Sequence, residues 1–226
     1  MQSLLILLGA YFLGSLPTAV WVCKIRHGQD IRNLGSGNAG LTNVYRVFGL
    51  VSAIPVALVD LGKGMLAVLL GQVGLLWGLD SLHSGMICGL VAILGHSYTC
   101  FASFRGGKGV LTALGVYSIL TPYTALFCFL FWAGIVKMTG LVSLASILAA
   151  IALPLGLGVQ LFLGKGSWAL FLSGLIIGGF VIWRHRSNIV KILQGTEHKF
   201  GRQASATNLK DIESQAEQAQ EGASQP

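Results

Sequence analysis

The chain has 226 residues, of which 54% are hydrophobic and 10% are charged, and its mean hydropathy is +0.72. A soluble domain carries about 25% charged residues, so the composition argues against a secreted soluble enzyme or a disordered regulator. The net charge of +7 divides into +10 over residues 1–202 and −3 over residues 203–226. Because the positive charge lies at the edges of apolar segments, it indicates membrane topology and anionic small molecules, not nucleic acid.

The first half of the chain predicts three membrane crossings, at residues 3–23, 61–79 and 84–101. Each is close to the roughly 20 apolar residues that a bilayer requires. The first lacks the basic start of a cleaved signal, so we expect it to be retained. Arg46 and Pro55 interrupt the apolar residues of 42–58, which predicts an interfacial or re-entrant segment there. The loop 24–46 is basic, so the positive-inside rule places it in the cytoplasm and the N-terminus outside.

The second half requires an even number of crossings between Lys108 and the basic segment 184–202, because both are predicted to be cytoplasmic. Three apolar blocks lie between them, at 110–136, 141–162 and 168–183. Dividing the first block at Pro122 into two short helices restores an even number. The sequence therefore predicts an all-α integral membrane protein with about seven transmembrane helices, its N-terminus outside and its C-terminus cytoplasmic. A single tilted helix with a re-entrant element elsewhere is the alternative.

The domain organisation follows from the same pattern. Residues 1–202 are predicted to form a single transmembrane domain. Residues 203–226 are polar, acidic and free of aromatic side chains, so we expect a disordered tail. The four cysteines lie in or beside apolar segments without CxxC spacing, which argues against a disulfide framework or a zinc site. No cofactor and no metal are predicted.

Clusters of polar residues at segment ends are the candidate sites, since polar groups at membrane depth usually mark function. The first, at 35–46, reads GSGNAGLTNVYR. Its alternating glycines can fold into a nest of N–H groups around an anion, and Arg46 can bind phosphate with two hydrogen bonds. The candidates here are Ser36, Gly37, Asn38, Gly40, Thr42, Asn43 and Arg46. A flexible glycine loop is the alternative, and the spacing does not match the dinucleotide-binding fingerprint.

The second cluster runs from HSYTCF at 96–101 to FRGGKGVLT at 104–112. A GGKG turn before an apolar helix is typical of phosphate binding at a helix N-terminus, where the dipole favours anions. It is not a Walker A loop, because Ala102 stands where that motif needs glycine and Gly109 follows the lysine. The candidates are His96, Gly106, Gly107, Lys108 and Gly109. A topology-setting lysine and a satisfied interfacial histidine are the alternatives.

Three shorter segments complete the set. Ser143 opens a helix in TGLVSLAS and can act as a helix cap or as a phosphate donor. RHRSNIVK, at 184–191, is a basic stretch that would also suit a membrane surface. It contributes the candidates His185 and Asn188, with Glu197 after it.

In DLGKG, Lys63 can contact a ligand or form a structural pair with Asp60. All the clusters together supply N–H groups, hydroxyls, amides and cations, but few carboxylates. This chemistry suits one or two phosphate-bearing molecules and gives little support to a Ser/His/Asp triad.

Five segments, in the same order along the chain, resemble the bacterial acyl-phosphate:glycerol-3-phosphate acyltransferases, the PlsY family. They are GSGNAGLTNVYR, DLGKG, GHSYTCFASFRGGKGVLT, TGLVSLAS and RHRSNIVKILQGTE. The resemblance covers residues 3–202. It implies a multi-pass enzyme of the bacterial inner (plasma) membrane with its active site on the cytoplasmic face.

The resemblance also implies the reaction. An acyl group would pass from acyl phosphate to the sn-1 hydroxyl of glycerol 3-phosphate, giving lysophosphatidate and inorganic phosphate in the first acylation of phospholipid biosynthesis. The headgroup of acyl phosphate would be held by Ser36, Arg46 and Lys108, with amides from Gly37 to Gly40. Glycerol phosphate and the oxyanion would be held by Ser143, His185 and Asn188, with Lys63 and Glu197 in support. The acyl chain would lie in a groove between helices.

The implied partners are acyl phosphate, glycerol 3-phosphate, the lipid bilayer and, functionally, the enzyme that produces acyl phosphate. No acidic residue is clearly placed as a base, so we expect the substrate's own phosphate to take the hydroxyl proton. His185 as general base is the competing hypothesis. The alternative function is a membrane transporter or binding protein for phosphate esters, which would require inverted repeats with broken helices. The sequence shows no such repeat.

Overall fold

The computed structural model describes residues 1–199, which fold into α-helices joined by short loops. The helices are α1 (Gln2–Gly14), α2 (Thr18–His27), α3 (Leu41–Gly74), α4 (Ser81–Ser97), α5 (Val110–Leu120), α6 (Pro122–Thr139), α7 (Val142–Phe162), α8 (Trp168–Arg184) and α9 (Arg186–Leu193). No strand occurs among residues 1–199, so the all-α prediction is confirmed. The predicted tail at 203–226 lies outside the described residues.

The described helices account for four to six membrane spans by length and composition. Helices α3, α6 and α7, and α4 with the turn after it, are each long and apolar enough to cross. Two bent pairs bring the number to six: α1 with α2, bent by 42°, and α8 with α9, bent by 58°. Helix α5 is apolar but only 11 residues long, and counting it gives the predicted seven. The sides on which the termini lie stay predictions.

Pro122 divides the apolar block 110–136 as expected. Helix α5 ends at Leu120, and Pro122 occupies the first turn of α6, where the missing N–H of proline needs no partner. The single tilted helix considered as the alternative is therefore wrong. The boundaries of α7 and α8 lie within one residue of the predicted crossings at 141–162 and 168–183.

The predicted boundary between an interfacial segment at 42–58 and a second crossing from residue 61 is wrong, because one helix runs through both. An interfacial position for the part before Gly49 stays a prediction. Helix α3 runs from Leu41 to Gly74 and bends once, at Gly49, whose φ of 76° glycine adopts without strain. Pro55 lies inside the helix and does not end it. Prolines are tolerated in membrane helices because neighbouring groups satisfy the backbone that they leave unpaired.

A buried ion pair stabilises the break between α1 and α2. The Lys63 ammonium lies 2.8 Å from the Asp60 carboxylate and donates to the Leu16 carbonyl at 3.0 Å. Asp60 also accepts a hydrogen bond of 3.3 Å from the Thr18 hydroxyl. Only 2% of Lys63 and 3% of Asp60 is exposed. The positive charge lies beside the C-terminal end of α1, where the helix dipole favours a cation.

Replacing Lys63 with methionine should destabilise the protein strongly. The side chain keeps its bulk, but the Asp60 carboxylate loses its cation, and removing one partner of a buried pair costs about 3–5 kcal/mol. We expect K63M to have a lower Tm in detergent than the wild type, and K63M/D60N to recover most of the difference. The exposed Lys165→Met variant is the matched control. An unchanged Tm for K63M would contradict a stabilising role for the pair.

Close backbone contacts fix α5 against α3. A Cβ at Gly64 of α3 would overlap the backbone of Thr112, and one at Gly115 of α5 would overlap the backbone of Leu61. Glycine at both positions allows the two helices to touch along their backbones. This contact sets the position of the start of α5, which is part of the site described next.

Candidate functional site

A cavity of about 410 Å³ lies where the first turns of three helices converge. The lining residues at these turns are Leu41 and Thr42 of α3, Val110 and Leu111 of α5, and Val142 and Ser143 of α7. Within residues 1–199, no side chain caps any of these three N-termini. Their backbone N–H groups and the positive ends of their dipoles favour an anion at this end of the cavity.

Most of the residues predicted from the sequence meet on this cavity. They are Ser36, Asn38, Gly40, Thr42, Asn43, Arg46, His96, Lys108, Gly109, Ser143, His185, Asn188 and Glu197. Four predicted residues do not line it: Gly37, Lys63, Gly106 and Gly107. Lys63 forms the structural pair with Asp60 that was the alternative to ligand contact, and Asp60 itself reaches the cavity wall.

A chain of hydrogen bonds joins three of the sequence clusters. Lys108 donates to the amide oxygen of Asn188. The amide nitrogen of Asn188 donates to both carboxylate oxygens of Glu197, at 2.9 and 3.1 Å. Ser143 donates to the same carboxylate at 2.9 Å. Glu197 therefore orients two of the predicted ligand-binding side chains.

Burial changes the acidity of the lysine at this site. Loss of solvent lowers the pKa of the Lys108 ammonium from its usual 10.5 to about 8. The Glu197 carboxylate opposes this shift, whereas the positive charges of Arg184, Lys191 and Arg46 add to it. At neutral pH the ammonium is charged but poorly hydrated, which strengthens its attraction for an incoming anion.

The first two glycines of the GGKG turn, Gly106 and Gly107, hold the loop in place and do not line the cavity. The N–H groups of Gly106 and Gly107 donate to the carbonyls of Ser97 and His96, each at 3.2 Å. These carbonyls belong to the last turn of α4, where helical carbonyls lack partners of their own. A Cβ at Gly107 would overlap the His96 ring. The prediction that these two glycines bind phosphate directly is corrected: they anchor the loop that carries Lys108.

The loop before α3 is held by one buried side chain. Asn43, only 1% exposed, accepts a hydrogen bond from the Ser36 N–H at 2.9 Å. Its amide nitrogen donates to the carbonyls of Leu34, at 2.9 Å, and Ile31, at 3.2 Å. Asn43 therefore shapes the loop, and its polar atoms are engaged within it.

The predicted nest of amides from Gly37 to Gly40 is only partly present. The N–H of Gly37 donates to the Leu34 carbonyl and that of Gly40 to the Asn38 carbonyl, both at 3.0 Å. These two amides are used inside the loop, which corrects their predicted role. The side chains of Ser36, Asn38 and Thr42 line the cavity instead.

His185 presents one ring nitrogen for chemistry. The residue is 3% exposed, and its Nδ1 lies 2.8 Å from the Val181 carbonyl. Because a carbonyl can only accept, Nδ1 carries a proton, and Nε2 is the nitrogen left for another partner. His185 lines the cavity, so Nε2 is the atom through which the ring can contact a ligand.

Away from the polar end, the cavity is apolar. Its wall there comes from helices α5 to α8 and includes Leu114, Tyr117, Ala125, Ala150, Leu153 and Ile177. The Tyr117 hydroxyl is 3.0 Å from the Ser173 hydroxyl, so this buried polar group has a partner. One cavity thus joins a cationic region rich in hydrogen-bond donors to an apolar region, which fits a ligand with a phosphate head and a hydrocarbon chain.

Two residues near the site were not identified from the sequence. Arg184 donates to the carbonyls of Gly107, at 2.8 Å, and Gly106, at 3.3 Å. Trp132 lines the cavity and donates to the Ser146 hydroxyl at 3.2 Å. The basic RHR triplet predicts an arginine near the site, but the sequence does not show whether Arg184 or Arg186 turns inward.

Comparisons with known proteins agree on one family. A family model described as glycerol-3-phosphate acyltransferase matches residues 4–195. The glycerol-3-phosphate acyltransferase of Fusobacterium nucleatum is 43% identical over 191 residues, covering 84% of this chain and 94% of its own. That of Aquifex aeolicus is 42% identical over 200 residues, covering 88% and 100%.

Solved structures give the same result. A crystal structure of PlsY, an integral membrane glycerol 3-phosphate acyltransferase, in its glycerol 3-phosphate form, superposes with a TM-score of 0.80. It is 40% identical, and the match covers 89% of this chain and 96% of that one. The lysophosphatidic acid form of PlsY superposes with a TM-score of 0.76 at 38% identity.

Proposed function

Since the chain belongs to the glycerol-3-phosphate acyltransferase (PlsY) family and is an integral membrane acyltransferase, we propose that its acyl donor is an acyl phosphate and its acceptor the sn-1 hydroxyl of glycerol 3-phosphate. The products are lysophosphatidate and inorganic phosphate. Family membership removes the transporter alternative. The observation that carries the proposal is the single cavity in which a cationic, donor-rich end meets an apolar end.

Both proposed substrates carry a phosphate, and the polar end of the cavity offers groups for two anions. Arg46, Lys108 and the N-termini of α3, α5 and α7 supply positive potential. Related PlsY structures are described in glycerol 3-phosphate and lysophosphatidic acid forms, which supports these two molecules as acceptor and product. The basic residues around the cavity favour the cytoplasmic face of the inner membrane, where the acyl-phosphate-producing enzyme would supply the donor.

The chemistry needs little covalent help from the protein. Acyl phosphate is a mixed anhydride, so the hydroxyl oxygen of the acceptor forms a bond to the carbonyl carbon while the bond from that carbon to the phosphate oxygen breaks. Negative charge grows on the carbonyl oxygen and then on the leaving phosphate. Lys108 and the N–H groups in the first turns of α3, α5 and α7 would position the two anions and stabilise that charge. Ser143 and Asn188 line the cavity beside them and would have to release Glu197 in order to donate to a substrate.

The hydroxyl proton needs an acceptor, and we propose that it is a phosphate oxygen of the substrate. The two acidic side chains that residues 1–199 place on the cavity wall are already engaged: Glu197 accepts bonds from Ser143 and Asn188, and Asp60 pairs with Lys63. His185 Nε2 is the competing acceptor. In the substrate-assisted mechanism, the His185 imidazole only orients glycerol 3-phosphate, the molecule that receives the acyl group.

The His185→Gln variant separates the two mechanisms. General-base catalysis contributes about 10²–10⁴-fold to a rate. If His185 were the base, its removal would therefore lower kcat by at least about 100-fold. We expect H185Q to lose less than about 100-fold in kcat and to keep the shape of the wild-type pH–rate profile. A larger loss, with the disappearance of one limb of the profile, would assign the proton to His185 instead.

The apolar end of the cavity should determine which acyl chains fit. Ala150 lies seven residues beyond Ser143 on α7, roughly 10 Å deeper at 1.5 Å per residue, and it lines the cavity. We expect Ala150→Phe to lower kcat/KM for palmitoyl phosphate by at least about tenfold, since overpacking a filled site costs about 1–3 kcal/mol, and to affect octanoyl phosphate less. Ile151→Phe, at the neighbouring exposed position, is the control. Equal losses for both chain lengths would contradict this assignment.

The proposed reaction is tested with the purified protein in detergent. Palmitoyl phosphate and glycerol 3-phosphate are supplied with EDTA, and both phosphate release and lysophosphatidate are measured. Release should require both substrates and should fall sharply in Lys108→Ala. Palmitoyl-CoA in place of palmitoyl phosphate should give no product. Product from palmitoyl-CoA alone would overturn the proposed donor while leaving the family assignment intact.

A further inference from the structure

We propose that Arg184 is a positioning residue that fixes the GGKG loop so that the Lys108 ammonium stands at the polar end of the cavity. The inference rests on the proposed function, because acyl transfer is its readout. The inference goes beyond the proposed function because Arg184, at the end of α8, does not line the cavity and would not contact a substrate in the proposed reaction.

Hydrogen bonds hold the GGKG loop on two sides. On one side, the N–H groups of Gly106 and Gly107 donate to the last carbonyls of α4. On the other side, the carbonyls of the same two glycines accept hydrogen bonds from Arg184 Nη2, at 3.3 and 2.8 Å. Both peptide groups are thereby fixed immediately before Lys108. A lysine on an unanchored glycine loop would have no reason to stay over the cavity.

The guanidinium is itself held in place. Its Cζ lies 5.5 Å from the centre of the Tyr98 ring, a distance suited to a cation–π contact. The Tyr98 carbonyl in turn accepts a 2.8 Å hydrogen bond from the Tyr11 hydroxyl of α1. Arg184 Nε is buried and has no hydrogen-bond partner among residues 1–199. Arg184 therefore joins α8 to the end of α4 and to the loop between α4 and α5.

Arg186, two residues along, provides an internal comparison. It is exposed, lies 4.8 Å from the Trp183 ring and, among residues 1–199, donates only to the Trp183 carbonyl, at 3.4 Å. The break between α8 and α9 sends the two arginines in different directions. Only the first of them reaches the GGKG loop, so the pair forms a matched test and control.

Arg184 also acts on Lys108 through charge. Its guanidinium lowers the pKa of Lys108, as Lys191 and Arg46 do, whereas Glu197 raises it. His185 also lies close to Lys108, and His96 and His198 line the same cavity. Removing the charge at 184 should raise the pKa of Lys108 and move the alkaline limb of kcat/KM to higher pH.

The experiment measures kcat/KM for palmitoyl phosphate in Arg184→Gln, Arg184→Lys, Arg186→Gln, Lys108→Ala and the double variant R184Q/K108A. A misplaced catalytic group commonly costs about 10²-fold. We expect R184Q to lose about tenfold or more, R184K to lose less, and R186Q to stay within about twofold of wild type. In the K108A background, R184Q should have little further effect, because its target is gone.

Three results would overturn the proposal: an R184Q variant within about twofold of wild type, a full R184Q loss that persists in the K108A background, or an unmoved alkaline limb. If R184Q does not purify as folded protein, R184M, which keeps an apolar side chain without the donors, decides, since wild-type kcat/KM in that variant would equally contradict the proposal. Absence of acyl transfer by the wild-type protein would count against the proposed function and not against the role of Arg184.

Discussion

Replacing Lys108 with alanine is expected to lower kcat/KM by about 100- to 1,000-fold, the loss typical of removing one preorganised electrostatic group from an active site. The ammonium is desolvated, is hydrogen-bonded to Asn188, and lies beside the first turn of α5. Its field acts at short range in a poorly hydrated site, where charge interactions are strong. Lys165→Ala, in an exposed loop, should leave kcat/KM unchanged.

The same lysine should impose a pH limit. Its pKa is about 8 in the free protein, so the ammonium is charged below that pH and is lost as the pH rises through it. We expect kcat/KM to decline above pH 8 or so, as set by this pKa, and Lys108→Arg to remove the decline, because guanidinium stays charged. Bound phosphate stabilises the ammonium, so the limb for kcat should lie at higher pH. A flat kcat/KM profile to about pH 10, near the usual lysine pKa, would contradict this assignment.

The Asn188→Asp variant is expected to lose at least about 100-fold in kcat/KM although it is nearly isosteric. In the wild type, the amide nitrogen donates to both oxygens of Glu197, and the amide oxygen accepts from Lys108. A carboxylate at 188 would repel Glu197 and form a direct ion pair with Lys108, competing with substrate phosphate. Asn33→Asp, an exposed change of the same kind, is the control.

A charge swap sharpens the test of Asn188. In Asn188→Asp with Glu197→Gln, the amide and the carboxylate exchange places, so one donor and one acceptor remain and the repulsion disappears. We expect the double variant to recover Tm more than activity, because the carboxylate at position 188 still neutralises Lys108. If N188D alone has wild-type kcat/KM, the hydrogen-bonded chain from Lys108 to Ser143 does not support catalysis.

Much of the fold could be predicted because membrane helices follow simple length rules. Pro122 marked the boundary between α5 and α6, and the edges of α7 and α8 coincided with those of the apolar blocks. Helix α3 could not be predicted correctly, since Arg46 and Pro55 interrupt its hydropathy without ending the helix. The polar cluster in which Arg46 lies forms the first turns of a long helix bent at Gly49.

The sequence predicted which residues line the candidate site better than it predicted what each of them does there. Polar residues of separate clusters met at one cavity because charge at membrane depth is retained only where it has partners. The sequence could not show that Gly106 and Gly107 give their N–H groups to α4, since a glycine pattern does not name its hydrogen-bond partners. Arg184 escaped prediction for a similar reason: two arginines flank His185, and the sequence does not show that the first of them donates to the GGKG loop.

Three helix N-termini on one cavity have a consequence for inhibition. A compound that bonds mainly to Lys108 or Arg46 can be evaded by changing one side chain. A compound that places an anion against the first turns of α3, α5 and α7 would rely on main-chain N–H groups, which every amino acid except proline supplies. Resistance would then require moving a helix that is locked by backbone contact, as α5 is against α3 at Gly64 and Gly115. An anionic compound designed for those turns would leave few mutational routes of escape.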